Sequence, residues 1–319
     1  MSWFSDVKNR ILDASIAYSF DKTGFYRHET TFNPQDLDVD CTGKRFLITG
    51  ANSGLGFATA IAIANRNGIV HLLCRNLPKA QEAQQKILSD TNNPEVYIDI
   101  VDMSDLASIQ NYARSIHYQQ IDALIHNAGI LPSTRQKSPQ GFESTFATNV
   151  LGPQLLTTLL LPILTNTPQA RLIWVSSGGM YPVRLNTKLL QNPKDPFDGV
   201  QAYAQTKRTQ VILSSLWAEK TQLWSQCMHP GWADTTGVQT SLPRFQQWMK
   251  NRLRNAEQGA DTIVWLAIAA LLEKETSGGF WFDRSKVQEH FFPYTTSTQE
   301  QKEELWALLE NYCALYLQQ

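Results

Sequence analysis

With 319 residues, 42% hydrophobic and 18% charged, the chain is long enough for one large core and has the make-up of an ordinary globular protein. Its 28 basic and 29 acidic side chains leave a formal charge of −1, which excludes electrostatic capture of nucleic acid as the basis of function. Cys41, Cys74, Cys227 and Cys313 are scattered without a CxxC pair, so no metal site or disulfide framework is expected, and a reducing, cytoplasmic setting is.

Residues 1–40 read as an N-terminal extension. Asp6, Lys8, Arg10 and Asp13 interrupt any apolar signal core. Phe4, Val7, Ile11, Ala14 and Tyr18 recur at helical spacing, predicting an amphipathic helix that packs across the rest of the fold, with interfacial membrane contact as the alternative. From residue 41 to 319 strand and helix patterns alternate. Strands are predicted at Arg45–Thr49, Ile69–Cys74, Val96–Val101, Ala123–His126, Arg171–Val175, Leu223–Met228 and Phe280–Phe282. Helices are predicted at Leu55–Asn67, Ala80–Leu88, Leu106–Ile116, Gly141–Leu164, Gln201–Lys220, Glu257–Leu272 and Glu300–Leu317. The most apolar stretches, Leu155–Leu164 and Ile263–Leu272, are too short to span a bilayer, so no transmembrane segment is expected. The alternation implies an α/β fold: a single doubly wound parallel-sheet Rossmann-type domain with helices on both faces.

Thr49-Gly50-Ala51-Asn52-Ser53-Gly54-Leu55-Gly56 falls between the first strand and the first helix of that domain. Glycines there allow a sharp turn and close approach of a pyrophosphate, while the helix start offers free N–H groups and its positive end. The turn predicts dinucleotide binding. After the second strand, where a carboxylate would accept from the ribose of NAD, the chain has Cys74-Arg75-Asn76. Arg75 is placed to clamp a 2′-phosphate, so NADP(H) is the expected cofactor, with NAD(H) as the alternative.

Together these residues and several further motifs resemble the short-chain dehydrogenase/reductase family. The glycine spacing is that family's, Asp102 is similar to its adenine-binding aspartate, and His126-Asn127-Ala128-Gly129 resembles its NNAG motif with a histidine in first place. Asn149 resembles its helix asparagine, Ser177 its catalytic serine, and Tyr203-Ala204-Gln205-Thr206-Lys207 its YxxxK. Pro230-Gly231 resembles the turn whose later threonine, here Thr235, contacts the nicotinamide end. The resemblance implies that Gly50, Asn52, Ser53, Gly54, Leu55, Gly56, Arg75, Asp102, Asn127, Ala128, Gly129, Tyr203, Lys207, Pro230, Gly231 and Thr235 meet the cofactor. It also implies that Asn149 anchors a water behind Lys207, and that the protein is a homodimer or homotetramer.

Tyr203 and Lys207 are one helical turn apart and share a face. A nearby ammonium lowers a phenol's pKa, which makes Tyr203 the candidate general acid/base and Lys207 its tuner. Ser177 is the candidate donor to the substrate oxygen. His229, before Pro230, reads as a structural loop histidine. Residues 236–255 are expected to form a substrate lid, with Leu242, Phe245, Trp248, Met249 and Leu253 lining an apolar pocket and Lys250, Arg252 and Arg254 facing solvent. A small, lipophilic alcohol or carbonyl compound is the expected substrate. The alternative is a non-enzymatic NADP(H)-binding regulatory or scaffold protein on the same fold.

Overall fold

The computed structural model describes residues 16–221, 223–234, 243–270 and 276–317. Short runs rich in Ile, Leu and Val make the middle of a sheet: β1 (Arg45–Thr49), β2 (Ile69–Cys74), β4 (Ala123–His126), β5 (Arg171–Val175) and β6 (Trp224–Met228) are almost wholly buried. Burial on both faces is the pattern of a parallel sheet covered by helices. With β3 (Val96–Ile100) at one edge and β7 (Phe280–Phe282) and β8 (Ser285–Lys286) at the other, the eight strands run β3-β2-β1-β4-β5-β6-β7-β8. Among the described residues only β8 is antiparallel. The sequence pattern did not predict it, because two exposed residues show no alternation. It exists because Asp283 and Arg284 adopt left-handed φ of 46° and 56° and close a tight hairpin.

Alternate residues of each strand go to opposite layers. Leu47, Leu124, Leu172 and Trp174 meet α5 (Leu106–Ser115), α7 (Gly152–Asn166), α9 (Gly199–Lys220) and α12 (Gln299–Leu317). Phe46, Ile48, Leu72, Ile125 and Ile173 meet α3 (Gly54–Ala64), α4 (Leu77–Thr91) and α11 (Ala256–Ile268). The helices predicted to run to Asn67 and Leu272 end at Ala64 and Ile268, and two others begin three residues from their predicted starts. Asn76 caps α4 by accepting from Lys79 N, and a proline occupies the first turn, so this helix begins three residues before Ala80. The long helix expected from Gly141 begins instead with α6 (Ser144–Phe146), because Gly141 sits in a turn at φ +85°. A π-helical stretch, Ala147–Leu151, then joins α6 to α7. The helical run Ser144–Asn166 is long and apolar enough to cross a membrane, but 72% of its apolar window is buried inside this fold.

In the N-terminal extension, α1 (Ile16–Phe20) and α2 (Lys22–His28) are separated by Asp21, whose carboxylate caps α2 through Thr23 N and Gly24 N. Phe4, Val7, Ile11 and Ala14 lie outside the described residues. Phe20 plugs into the domain against Tyr181, His229, Trp232 and Phe282. Its carbonyl accepts from Trp232 N at 2.8 Å.

This docking corrects two expectations about the segment that follows α10 (Pro243–Met249). Arg254 does not face solvent: it is 1% exposed, forks onto Asp283 at 2.5 and 2.8 Å, and donates to the carbonyls of Ser19 and Phe20 at 3.0 Å each. A guanidinium can be buried there because paired acceptors satisfy its donors. Arg252 likewise turns inward to Asp21, with Nε 2.7 Å from Oδ2.

Candidate active site

All the elements of the site arrive at the carboxyl ends of β1, β2, β4, β5 and β6, beside the point where strand order reverses between β1 and β4. This is the crevice where open α/β sheets bind ligands. Gly50 leaves β1 at φ +67° and Gly54 opens α3 at φ +55°. A Cβ on Gly50 would stand 3.1 Å from Ala128 Cα, and one on Gly56 would stand 2.6 Å from Gly50 O. Both glycines are therefore demanded by packing. Ser53 N-caps α3 without a side-chain hydrogen bond, so N–H groups at this helix start are available to phosphate.

A polar clasp holds the turn. Thr49 Oγ1 accepts from Asn127 N and Ala128 N at 3.0 and 2.9 Å, and Asn127 Nδ2 donates to Thr49 O at 2.9 Å. His126 takes no part. Its Nε2 is 2.6 Å from Thr157 Oγ1, and burial pushes its pKa down to about 3. Behind the turn Cys74 is buried, its thiol pushed up to about 11 by desolvation. Arg75 is exposed and has no hydrogen bond or ion pair among the described residues. Asp102 accepts from Ser104 N and Oγ at 2.8 and 2.7 Å.

On the other side of the crevice, Ser177 follows β5 and its hydroxyl acts on the Tyr203 phenol from α9, lowering its pKa against the effect of burial. Lys207, one turn further along α9, has its Nζ 5.3 Å from the Tyr203 ring centre. The ammonium donates to Val175 O at 2.8 Å and Gln210 Oε1 at 3.1 Å. Burial pulls the Lys207 pKa down to about 8. Tyr203 departs from expectation: burial pushes it up to about 12, opposed by the Ser177 hydroxyl, because the ammonium is aimed at Val175 and Gln210. Asn149 lies in the π-helical stretch, where its Oδ1 accepts from Ile130 N and its Nδ2 donates to Thr206 Oγ1. Its backbone carbonyl accepts from Gln210 Nε2 at 2.8 Å. Gly129 closes over this group, a Cβ there standing 3.3 Å from Lys207 Nζ.

Gly231 sits at φ +70° where a Cβ would meet Phe20 O at 2.6 Å, so Pro230-Gly231 is wedged against the N-terminal segment. His229 is buried, stacked at 4.2 Å on Phe282 and pushed down to about 3 by desolvation, as befits a neutral packing residue. Thr235, Leu242 and the Phe245 side chain lie outside the described residues. Met249 and Leu253 are buried, whereas Trp248 does not line a pocket in this structure: its indole is 74% exposed. Among the described residues no cluster of His, Cys, Asp or Glu suits a metal.

Sequence reasoning passed over Gln210, Phe20 and Asp283. Gln210 carried a signal, since it is three residues after Lys207 on one helix face. Phe20 and Asp283 carried none, because their partners are remote in sequence.

A phosphate-ready glycine turn at the switch point, facing a serine–tyrosine–lysine cluster, defines a Rossmann-type nucleotide-binding oxidoreductase. The short chain dehydrogenase family model matches residues 44–187. Human dehydrogenase/reductase SDR family member 12 is 41% identical over 287 residues, 89% of this chain and 90% of the relative. Bovine retinol dehydrogenase 12 is 33% identical over 257 residues, 78% of this chain and 81% of the relative. A crystal structure from Mycobacterium paratuberculosis superposes with a TM-score of 0.68 at 27% identity, covering 86% of this chain and 95% of that one. The chain belongs to the short-chain dehydrogenase/reductase family, whose members bind a nicotinamide cofactor and act on small alcohol or carbonyl compounds.

Proposed function

We propose that the protein is an NADP(H)-dependent oxidoreductase interconverting a lipophilic carbonyl compound and its alcohol. The observation that carries this reading is the meeting of Ser177, Tyr203 and Lys207, with the Lys207 Nζ 5.3 Å from the Tyr203 ring centre, in the crevice that also holds the glycine turn. A scaffold protein needs the turn but not the cluster. Exposed, unpartnered Arg75 at the end of β2 supports the 2′-phosphate preference. The likeness to a retinol dehydrogenase supports an apolar substrate.

When bound, the cofactor supplies or takes up the hydride. The chain's residues handle the oxygen and the proton. Ser177 donates to the substrate oxygen as negative charge gathers there. Tyr203, held protonated by burial, passes its phenolic proton to that oxygen in reduction and recovers one from solvent afterwards. Lys207 steadies the resulting phenolate and holds the cofactor's ribose. Incubating the purified protein with NADPH and a panel of carbonyl compounds of graded size and polarity tests the reading. Consumption of NADPH that increases with the apolar surface of the compound is expected. No consumption, with NADPH still bound, would favour the scaffold.

A further inference from the structure

We propose that Gln210 is a positioning residue for Lys207, its side-chain amide tying the ammonium to the backbone carbonyl of Asn149. This inference rests on the proposed pairing of Tyr203 with Lys207. Gln210 is completely buried on α9, three residues beyond Lys207. Its orientation is forced, because an ammonium can only donate and a carbonyl can only accept. Oε1 must therefore face Nζ, at 3.1 Å, and Nε2 must face Asn149 O, at 2.8 Å. The π-helical stretch makes the second bond geometrically available by opening the helix at Asn149 to a side-chain donor.

The resemblance implied a water at this place. In this chain an amide also spans Lys207 and Asn149 directly, and this bridge is a clamp rather than a path for protons. An amide that accepts at oxygen and donates at nitrogen does not pass a proton along without becoming an imidic acid. Two of the three Lys207 N–H groups are thus committed, to Val175 O and Gln210 Oε1, and the third is left for the Tyr203 side. Of the groups packed around the ammonium, Tyr203 shares its helix, Asn149 belongs to the π-helical stretch, and Cys227 lies on β6 with its thiol driven far up by burial and so neutral. No ion pair to Lys207 occurs among the described residues, and the two oxygens are the hydrogen-bond acceptors its ammonium meets there.

The test follows the ε-carbon of Lys207 by NMR in cofactor-free protein labelled with 13C-lysine, across a pH titration, in wild type, Gln210→Leu and Gln210→Glu. Losing a charge-assisted bond should move the Lys207 midpoint down by about one pH unit in Gln210→Leu, and a carboxylate should move it up in Gln210→Glu. The alkaline fall of carbonyl reduction should move with the midpoint in each variant. Should Gln210→Leu fail to fold, the opposite shift in Gln210→Glu still decides. Coincident midpoints overturn the assignment whatever turnover shows. Midpoints that move while the wild type reduces no carbonyl overturn the Tyr203–Lys207 pairing instead, and with it the role of Gln210 in that reaction.

Discussion

Burying an ammonium is costly, and Lys207 shows the cost as a pKa pulled down to about 8. Its charge is therefore complete below that pH and lost as pH rises through it. Tyr203, raised to about 12, keeps its proton across the same range. Carbonyl reduction should accordingly be level at neutral pH and fall above about 8, while alcohol oxidation, which needs the phenolate, should climb with pH. Initial rates in both directions across a pH series check this, and reduction that rises through pH 8 would contradict it. Arg75 is the residue proposed to set cofactor choice. A charge-assisted bond contributes about 1.5–3 kcal/mol, roughly ten- to a hundredfold in affinity, so NADPH should outbind NADH by that margin. Arg75→Asp should reverse the order, because it adds repulsion toward phosphate and an acceptor for a free 2′-hydroxyl. Titration by tryptophan quenching measures both, and equal wild-type affinities would remove the residue from the argument. The turn glycines, Ser177, Tyr203 and Lys207 could be read as one candidate site because each belongs to a short local pattern, and the fold gathers them in one crevice. The Tyr203 shift could not be read, since it depends on where the ammonium points.

At the scale of elements, α9 brings Tyr203, Lys207 and Gln210 to the site on one helix, and α1 closes the site from behind. Phe20 lies against Gly178, the residue after Ser177, so closely that a Cβ there would stand 2.5 Å from the ring. Its carbonyl also takes the N–H of Trp232 in the turn after β6. The extension is thus part of the wall between the serine loop and the proline-glycine turn. Truncating a buried Phe costs about 3–5 kcal/mol. Phe20→Ala should lower the denaturation midpoint accordingly and disturb turnover together with it. A variant of unchanged stability would mean that α1 is only draped on the surface. Strand positions in the sheet interior were legible from their apolar runs. The docking of α1 and the Arg254–Asp283 pair were not, because basic residues spaced along a helix look like a solvated face until a distant carboxylate is folded against them.

The molecule as a whole is a sheet whose order reverses beside β1, with one half supplying the phosphate-ready turn and the other the proposed proton chemistry. Alternating strands and helices announced this architecture. What the pattern could not announce was β8 or the π-helical opening at Asn149, each of which depends on backbone conformation at one or two residues. The central claim is that the cluster facing the turn performs catalysis. It is tested most directly by comparing wild type with Tyr203→Phe, measuring NADPH affinity and turnover of one active carbonyl compound in the same preparations. The account predicts unchanged affinity and a rate lowered about 10²–10⁴-fold, the usual contribution of a positioned proton donor. A Tyr203→Phe enzyme that binds NADPH and turns over at the wild-type rate would contradict it.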